Sequence, residues 1–300
     1  MSDASTQVFV EHRSLLVGVA YRVLGTVADS EDVVQDAWLR WSKVAPDQIE
    51  DPRAYLVTVT TRLAIDRLRR RQVSREQYVG EWLPEPIVTD ADPASQAEVA
   101  ESVSMGLLLV LETLTPLERA VFVLHDAFGF GYAQIATMLD RTEPAVRKLG
   151  SRARRHVHDR RPRYNADQST QRAVTEGFLA AASHGDIDGL MAVLAPEVTL
   201  VADGGGKARA PLLPVIGAHS VARFFLAVAG RLEPGQSARA AVLNGEPALI
   251  VDRDDGKPIA AAVLSIPADR IERIYLVANP DKLVNLEIVV TFERSGGGAL

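Results

Sequence analysis

Gly131-Tyr132-Ala133-Gln134-Ile135-Ala136-Thr137-Met138-Leu139-Asp140-Arg141-Thr142-Glu143-Pro144-Ala145-Val146-Arg147-Lys148-Leu149-Gly150-Ser151-Arg152-Ala153-Arg154-Arg155 is the stretch on which the reading of this chain turns. Tyr132, Ile135, Ala136 and Leu139 recur at the spacing of one face of a short helix. Asp140 to Glu143 supply turn and cap residues. Val146, Leu149, Ala153 and Val157 form the apolar stripe of a second, longer helix. Two helices joined by a capped turn make a helix-turn-helix. Off the buried stripe lie Arg147, Lys148, Ser151, Arg152, Arg154 and Arg155, with Thr142 and Glu143 at the helix start. Guanidinium groups clamp phosphates or pair bidentately with guanine edges, and Ser151 is small enough for close approach or a phosphate contact. A solvated basic helix would need neither the short helix nor the turn before it. DNA binding is therefore the better reading.

Working outward, Thr115-Pro116-Leu117-Glu118 is a capping-box-like start of a helix ending near Phe128-Gly129. His125, among Val121, Phe122, Val123, Leu124 and Phe128, reads as a packed core histidine. Further upstream, from Val8 to Arg71, the pattern is helical in three pieces. Leu15, Leu16, Val19 and Val23 mark the first, which Thr26 to Asp29 interrupts. Val33, Val34, Ala37, Trp38 and Trp41 mark the second. Asp51-Pro52 opens the third, which runs into the basic end Arg69-Arg70-Arg71. Periodicity is then lost, and Pro84, Pro86 and Pro93 punctuate an acidic stretch, so residues 73–102 read as a linker. Downstream of Arg163, helices over Gln168–His184, Ile187–Leu194 and Ala218–Ala229 accompany short alternating segments at Val198–Val201, Ala238–Leu243, Ala248–Asp252, Ile259–Ile266 and Ile271–Val277. Asn244-Gly245 and Asp255-Gly256 are tight-turn signals, and the whole indicates an α+β domain with a curved antiparallel sheet.

Composition narrows the function classes. The 300 residues contain no cysteine, which excludes disulfides and thiolate metal sites and suits a reducing compartment. No basic segment precedes an apolar core at the N-terminus, and the apolar run Met105 to Leu111 is far shorter than the roughly 20 residues of a membrane helix. A soluble cytoplasmic protein without membrane contact is expected. The net charge of −6 hides segregation. Basic residues crowd into Arg67–Arg75 and Arg141–Arg163, acidic ones into Asp29–Asp36 and Glu76–Glu101, as in a protein with one face for phosphates and another for a basic partner. No metal constellation is found and no cofactor is expected.

The segment Asp29-Ser30-Glu31-Asp32-Val33-Val34-Gln35-Asp36-Ala37-Trp38-Leu39, the helix end Arg62-Leu63-Ala64-Ile65-Asp66-Arg67-Leu68-Arg69 and the helix-turn-helix together resemble the extracytoplasmic-function RNA polymerase sigma factors, in both their σ2 and σ4 domains. The resemblance implies that Asp29, Asp32, Gln35, Asp36, Trp38 and Leu39 dock on the clamp helices of core RNA polymerase, with the flap as a further partner. It implies that Arg62, Asp66, Arg67, Arg69 and Arg70 engage the −10 promoter element and that the second helix of the helix-turn-helix engages the −35 element. Many members carry Asn where this chain has Arg62, so recognition of the −10 bases departs from the pattern there.

Trp82-Leu83-Pro84-Glu85-Pro86, Asp203-Gly204-Gly205-Gly206-Lys207 and Asn279-Pro280-Asp281-Lys282-Leu283 are similar to motifs of the sigma-J-like subgroup, in which a SnoaL-like domain of the NTF2-like fold follows σ4. The implied layout is σ2 over 1–72, linker over 73–102, σ4 over 103–163, the SnoaL-like domain over 168–290 and a disordered tail over 291–300. The resemblance implies that this domain stands in for an anti-sigma factor and contacts σ2 and σ4. Trp82, Leu83, Pro84, Glu85, Asp203, Lys207, Asn279, Asp281 and Lys282 are the expected regulatory residues, with Lys207 or Lys282 meeting linker acids such as Glu85. A small ligand in the cone is compatible with this reading. Against it stands catalysis through Asp203, His219 or Asp252. Asp203 to Lys207 lacks the P-loop spacing and the following Ser/Thr, and reads as a turn or interdomain contact.

Overall fold

The computed structural model describes residues 3–44, 49–75, 78–89, 103–160 and 166–286. The expected linker beyond Thr89 and the expected disordered tail lie outside the described residues. The chain forms two compact units: residues 3–75 with 107–160, and residues 78–89 and 103–106 with 166–286.

The first unit is all helical. Helices α1 (Asp3–Leu24), α2 (Val27–Trp41) and α3 (Pro52–Arg75) pack as a three-helix bundle. Leu16, Val19, Ala20 and Val23 of α1, Val33, Val34 and Ala37 of α2, and Leu56, Ala64 and Leu68 of α3 are all buried. Helix α1 begins ahead of Val8, where the apolar periodicity starts, because its first turn has a tertiary partner: the Ser5 carbonyl accepts a hydrogen bond from Trp41 Nε1 at 2.8 Å. At α3 the Asp51 carboxylate accepts from Ala54 N at 2.9 Å and Pro52 occupies the first helical position. Helix α4 (Met105–Glu112) enters this unit at Leu107. Helix α5 (Pro116–Phe122) starts at a capping box in which Thr115 and Glu118 satisfy each other's backbone N–H, and it runs into a π-helical turn, Val123–Ala127. Helices α6 (Tyr132–Leu139) and α7 (Glu143–Arg160) complete the helix-turn-helix, with Asp140 left-handed at φ 53° between them. Val146, Ala153 and Val157 are buried as their spacing predicts, while Leu149, expected with them, is half-buried.

The second unit is α+β, with helices packed on one sheet. Helices α8 (Gln168–His184), α9 (Ile187–Val193) and α10 (Ala218–Ala229) accompany strands β1 (Leu194–Asp203), β2 (Val215–Ile216), β3 (Ser237–Leu243), β4 (Glu246–Asp252), β5 (Pro258–Ser265) and β6 (Ile271–Val277). The sheet order is β2-β1-β6-β5-β4-β3. The expected meander is present as β3 to β6, but the sheet is not purely antiparallel: β1 pairs with β6 in parallel. The long return through α10 and the meander permits this, since parallel neighbours need a crossover. Phe178, Leu200, Val221, Leu249, Leu264 and Ile274 are among the apolar residues between helices and sheet.

Residues 78–89, read from sequence as linker, form an extended strap on this second unit. Ile87 N donates to Asn244 Oδ1 (3.1 Å), Asn244 N donates back to the Ile87 carbonyl (2.9 Å), and Val88 bridges Leu243. Asn244 Nδ2 also donates to the Val103 carbonyl at 2.9 Å, and Glu246 accepts from Met105 N at 2.7 Å. Leu83 and Ile87 are fully buried. The strap has no periodicity because its backbone is satisfied by individual side chains rather than by a helix or a long ladder.

Candidate functional site

The exposed side of α7 carries the basic residues. Lys148, Arg152, Arg155 and Ser151 project to solvent, and none of the three cations has a hydrogen bond or ion pair among the described residues. Thr142 is exposed ahead of the first turn, and its carbonyl accepts from Val146 N at 3.1 Å. Arg147 is tied to Glu143 (Nε to Oε1, 2.9 Å) and lies 5.0 Å over the Tyr132 ring. Arg154 hydrogen-bonds the Tyr132 hydroxyl, with its guanidinium 5.8 Å from that ring. Burial raises the Asp126 carboxyl above its ordinary range, against the pull of Arg154 and His125. His125 is half-buried rather than enclosed: it stacks on Tyr132 at 4.1 Å, and its Nδ1 lies 2.8 Å from the Phe130 carbonyl. Sequence reasoning took Tyr132 as core stripe and missed this polar role.

On α2, Gln35, Asp36 and Leu39 are exposed, Leu39 to 50%, whereas Trp38 is half-buried against Phe9 at 5.0 Å. Two groups expected on different faces meet instead. Arg67 bonds Asp29 Oδ1 through Nε (2.7 Å) and Asp32 Oδ2 through Nη2 (2.6 Å), and Arg71 pairs with Asp29 at 2.7 Å. Burial pushes the Asp29 carboxyl up, but Arg71, Thr26 and Arg67 outweigh it and hold the group below the usual range. Asp29 and Arg67 thus brace α2 against α3. Asp66, Arg69 and Arg70 remain exposed, Asp66 and Arg69 loosely paired at 3.4 Å.

Arg62 departs furthest from expectation. Its Nε donates to the Met138 carbonyl at 2.7 Å, in the last turn of α6, where the helix dipole favours a cation. The three-helix bundle and the helix-turn-helix half are docked on each other here. Arg119, fully buried, donates to the Arg22 carbonyl at 3.0 Å and pairs with Glu112 at 2.5 Å. Arg22 itself, pushed down to about 10 by burial, lies 4.9 Å over Phe128, and Arg53 lies 5.0 Å over Phe130.

In the second unit the three short motifs converge. Asp203, at the end of β1 and fully buried, accepts from Tyr78 Oη (2.6 Å), Leu83 N (2.9 Å) and Lys282 Nζ (2.6 Å). Lys282 Nζ also donates to the Leu83 carbonyl at 2.5 Å and sits 4.2 Å over the half-buried Trp82 ring. Asn279 Nδ2 donates to Tyr78 Oη at 2.9 Å, and its Oδ1 accepts from Asp281 N at 3.1 Å. Burial and the bond to Asp203 raise the Tyr78 phenol well above the ordinary tyrosine range. Gly205, at φ 58°, places its α-carbon against the Asn279 amide, where a β-carbon would collide. Lys207 was expected to meet linker acids and instead pairs with Asp281 (2.5 Å) at the exposed rim. Glu85 accepts from Asn285 Nδ2 at 2.7 Å, and Pro84 is buried beside it. Tyr78, Asn244 and Asn285 were not singled out as site residues, and only the Asn244-Gly245 turn had a local signal.

The residues considered for acid–base work do not assemble: Asp203 is held as above, His219 is exposed on α10, and Asp252 pairs with Arg239 at 2.5 Å. No group of three or more metal-ligating side chains occurs among the described residues, and no helix there is long and apolar enough to cross a membrane.

Comparisons with known proteins agree with this architecture. Residues 8–73 match the model of Sigma-70 region 2, and residues 104–157 that of Sigma-70, region 4. The chain is 40% identical over 283 residues to the ECF RNA polymerase sigma factor SigJ of Mycobacterium tuberculosis, covering 90% of each. It is 35% identical over 277 residues to the probable ECF RNA polymerase sigma factor SigI of the same organism, covering 91% of this chain and 92% of that one. The crystal structure of M. tuberculosis SigJ superposes with a TM-score of 0.73 at 36% identity, covering 94% of this chain and 99% of the other. The chain therefore belongs to the extracytoplasmic-function RNA polymerase sigma factors.

Proposed function

We propose that this chain is a non-catalytic, cytoplasmic sigma subunit that binds core RNA polymerase and directs initiation at promoters with −10 and −35 elements. In this reading Asp32, Gln35, Asp36, Trp38 and Leu39 form the polymerase-facing side of α2. Arg62, Asp66, Arg69 and Arg70 serve the −10 element, with Arg67 holding the helix. Thr142, Glu143, Arg147, Lys148, Ser151, Arg152, Arg154 and Arg155 serve the −35 element. The observation that carries it is the cationic stripe Lys148–Arg152–Arg155, without partners among the described residues, on the second helix of a helix-turn-helix.

The second part of the proposal is control by the α+β unit. The strap lies, in sequence, between the two DNA-reading halves, yet its partners are residues 203, 244 and 282. Elements named −10 and −35 lie about 25 base pairs apart, or roughly 85 Å at 3.4 Å per base pair. Arg62 on α3 and Met138 on α6 are in hydrogen-bond contact. Reading both elements therefore requires the docked halves to separate. The docking contacts named above are arginine bonds to carbonyls and rings, each contributing about 1–3 kcal/mol net. A ligand or partner acts on this equilibrium only through different affinities for the docked and separated forms. Run-off transcription with core polymerase tests the proposal. Full-length protein should support specific initiation, and Trp82→Ala should change its yield. Absence of initiation from promoters that include its target would overturn the first part, and unchanged yield the second.

A further inference from the structure

We propose that Tyr132 is a positioning residue for the −35-reading face, admitted by Gly150 and holding Arg147 and Arg154 in place. The proposal rests on the reading of α7 as the recognition helix. Glycine is the weakest ordinary helix former, yet Gly150 stands in the middle of α7 and is buried. The space a side chain would need there is filled by Tyr132 and Val121: a β-carbon on Gly150 would come within 3.1 Å of both Cε1 and Oη of Tyr132 and 3.3 Å of Val121 Cγ1. Arg147, Gly150 and Arg154 fall on one face of α7, three and four residues apart. Tyr132 therefore reaches α7 between two arginines and engages both. One guanidinium lies 5.0 Å and the other 5.8 Å from the ring centroid, and Arg154 also hydrogen-bonds the phenol. His125 stacks on the ring at 4.1 Å, which limits its rotation.

Long arginine side chains lose rotamer freedom when they bind, and guanidiniums held beforehand lose less of it. Cation–π contact holds a guanidinium in place while leaving its N–H groups to form bonds. The basic face of α7 thus has two classes of cation. Arg147 and Arg154 are oriented by Tyr132, Arg147 also by its bond to Glu143, whereas Lys148, Arg152 and Arg155 have no partner among the described residues. The oriented pair suits bonds that demand a fixed geometry, and the other three suit phosphates, which accept charge from many directions.

The test uses holoenzyme formed with the full-length protein and compares a cognate promoter with single-base −35 variants. Tyr132→Phe keeps the ring and loses the bond to Arg154. Gly150→Ala keeps Tyr132 but displaces it, while raising helix propensity. Each should lower the ratio of cognate to variant binding by about three- to ten-fold, a fraction of what one bidentate base contact supplies. Melting temperature should hold in Tyr132→Phe, which adds no volume, and this separates positioning from mere stability. Lys148→Ala and Arg152→Ala serve as controls and should weaken binding to the promoter. If the controls weaken binding but Tyr132→Phe and Gly150→Ala leave the ratio unchanged, the positioning role is overturned while the reading of α7 stands. If the controls also change nothing, the reading of α7 fails and the inference with it. If Tyr132→Phe lowers the ratio only together with the melting temperature, Tyr132 is structural and the proposal is wrong.

Discussion

Asp203 and Lys282 set the chemistry of the motif junction at the scale of single residues. Both are almost fully buried, and each is satisfied by the other and by the strap. Removing one partner of such a pair costs about 3–5 kcal/mol, because a charge is left in a low dielectric without its counterpart. Lys282→Met should destabilise the second unit by that amount in chemical denaturation. The double variant Asp203→Leu/Lys282→Met should lose less than the sum of the two singles, and strict additivity would show the pair is not coupled. Asp29 behaves differently because it is closer to solvent. Its folded pKa lies below the unfolded value of about 3.9. Its contribution is therefore complete above that pH and disappears as pH falls through the folded pKa. The stability gap between wild type and Asp29→Asn should be full at neutral pH and close under acid. A gap that does not change with pH would assign the effect to something other than the Arg67–Arg71 pairing.

Elements differ in how well they could be read. The helix-turn-helix was legible because a single periodicity, a turn and two caps agree within about thirty residues, and the structure places Ile135, Leu139, Val146, Ala153 and Val157 inside as the spacing requires. The strap was not legible. It has no period of its own, and its bonds to Leu83 and Ile87 come from residues 120 and 157 positions away. Asp203, Lys282 and Trp82 could be listed through family resemblance, but nothing local tells that Tyr78 completes their network. Arg62 and Arg67 could be recognised as basic helix residues. Their partners, Met138 and Asp29, could not, because the pairing depends on how helices cross. Two measurements belong to this scale. Trp82→Ala removes the ring over Lys282 and should raise hydrogen exchange across residues 78–89 while α8 to α10 stay protected; unchanged exchange would mean the ring does not anchor the strap. On α7, Lys148→Ala should reduce the slope of log affinity against log salt by about one and weaken all sequences alike. A sequence-selective loss would instead make Lys148 a base reader.

For the molecule as a whole, connectivity carries the functional argument. The described part of the segment joining regions 2 and 4, residues 78–89, bonds residues 203, 244 and 282 of the α+β unit, and in the proposed function this gives that unit a hold on the separation of the two regions. Region 2 and region 4 are docked through arginines that are soluble when exposed, which is compatible with the proposed opening. The absence of cysteine in 300 residues makes the separation directly measurable, because two introduced thiols are the only labelling sites. Ala28→Cys on α2 and Ala133→Cys on α6 are both exposed and outside the proposed contacts. With a donor and an acceptor on them, energy transfer should be high in the free protein and should collapse in a transcriptionally active complex of polymerase and promoter, where the two elements stand roughly 85 Å apart. High transfer retained in a complex that initiates transcription would contradict the assignment of α3 and α7 to two separate promoter elements.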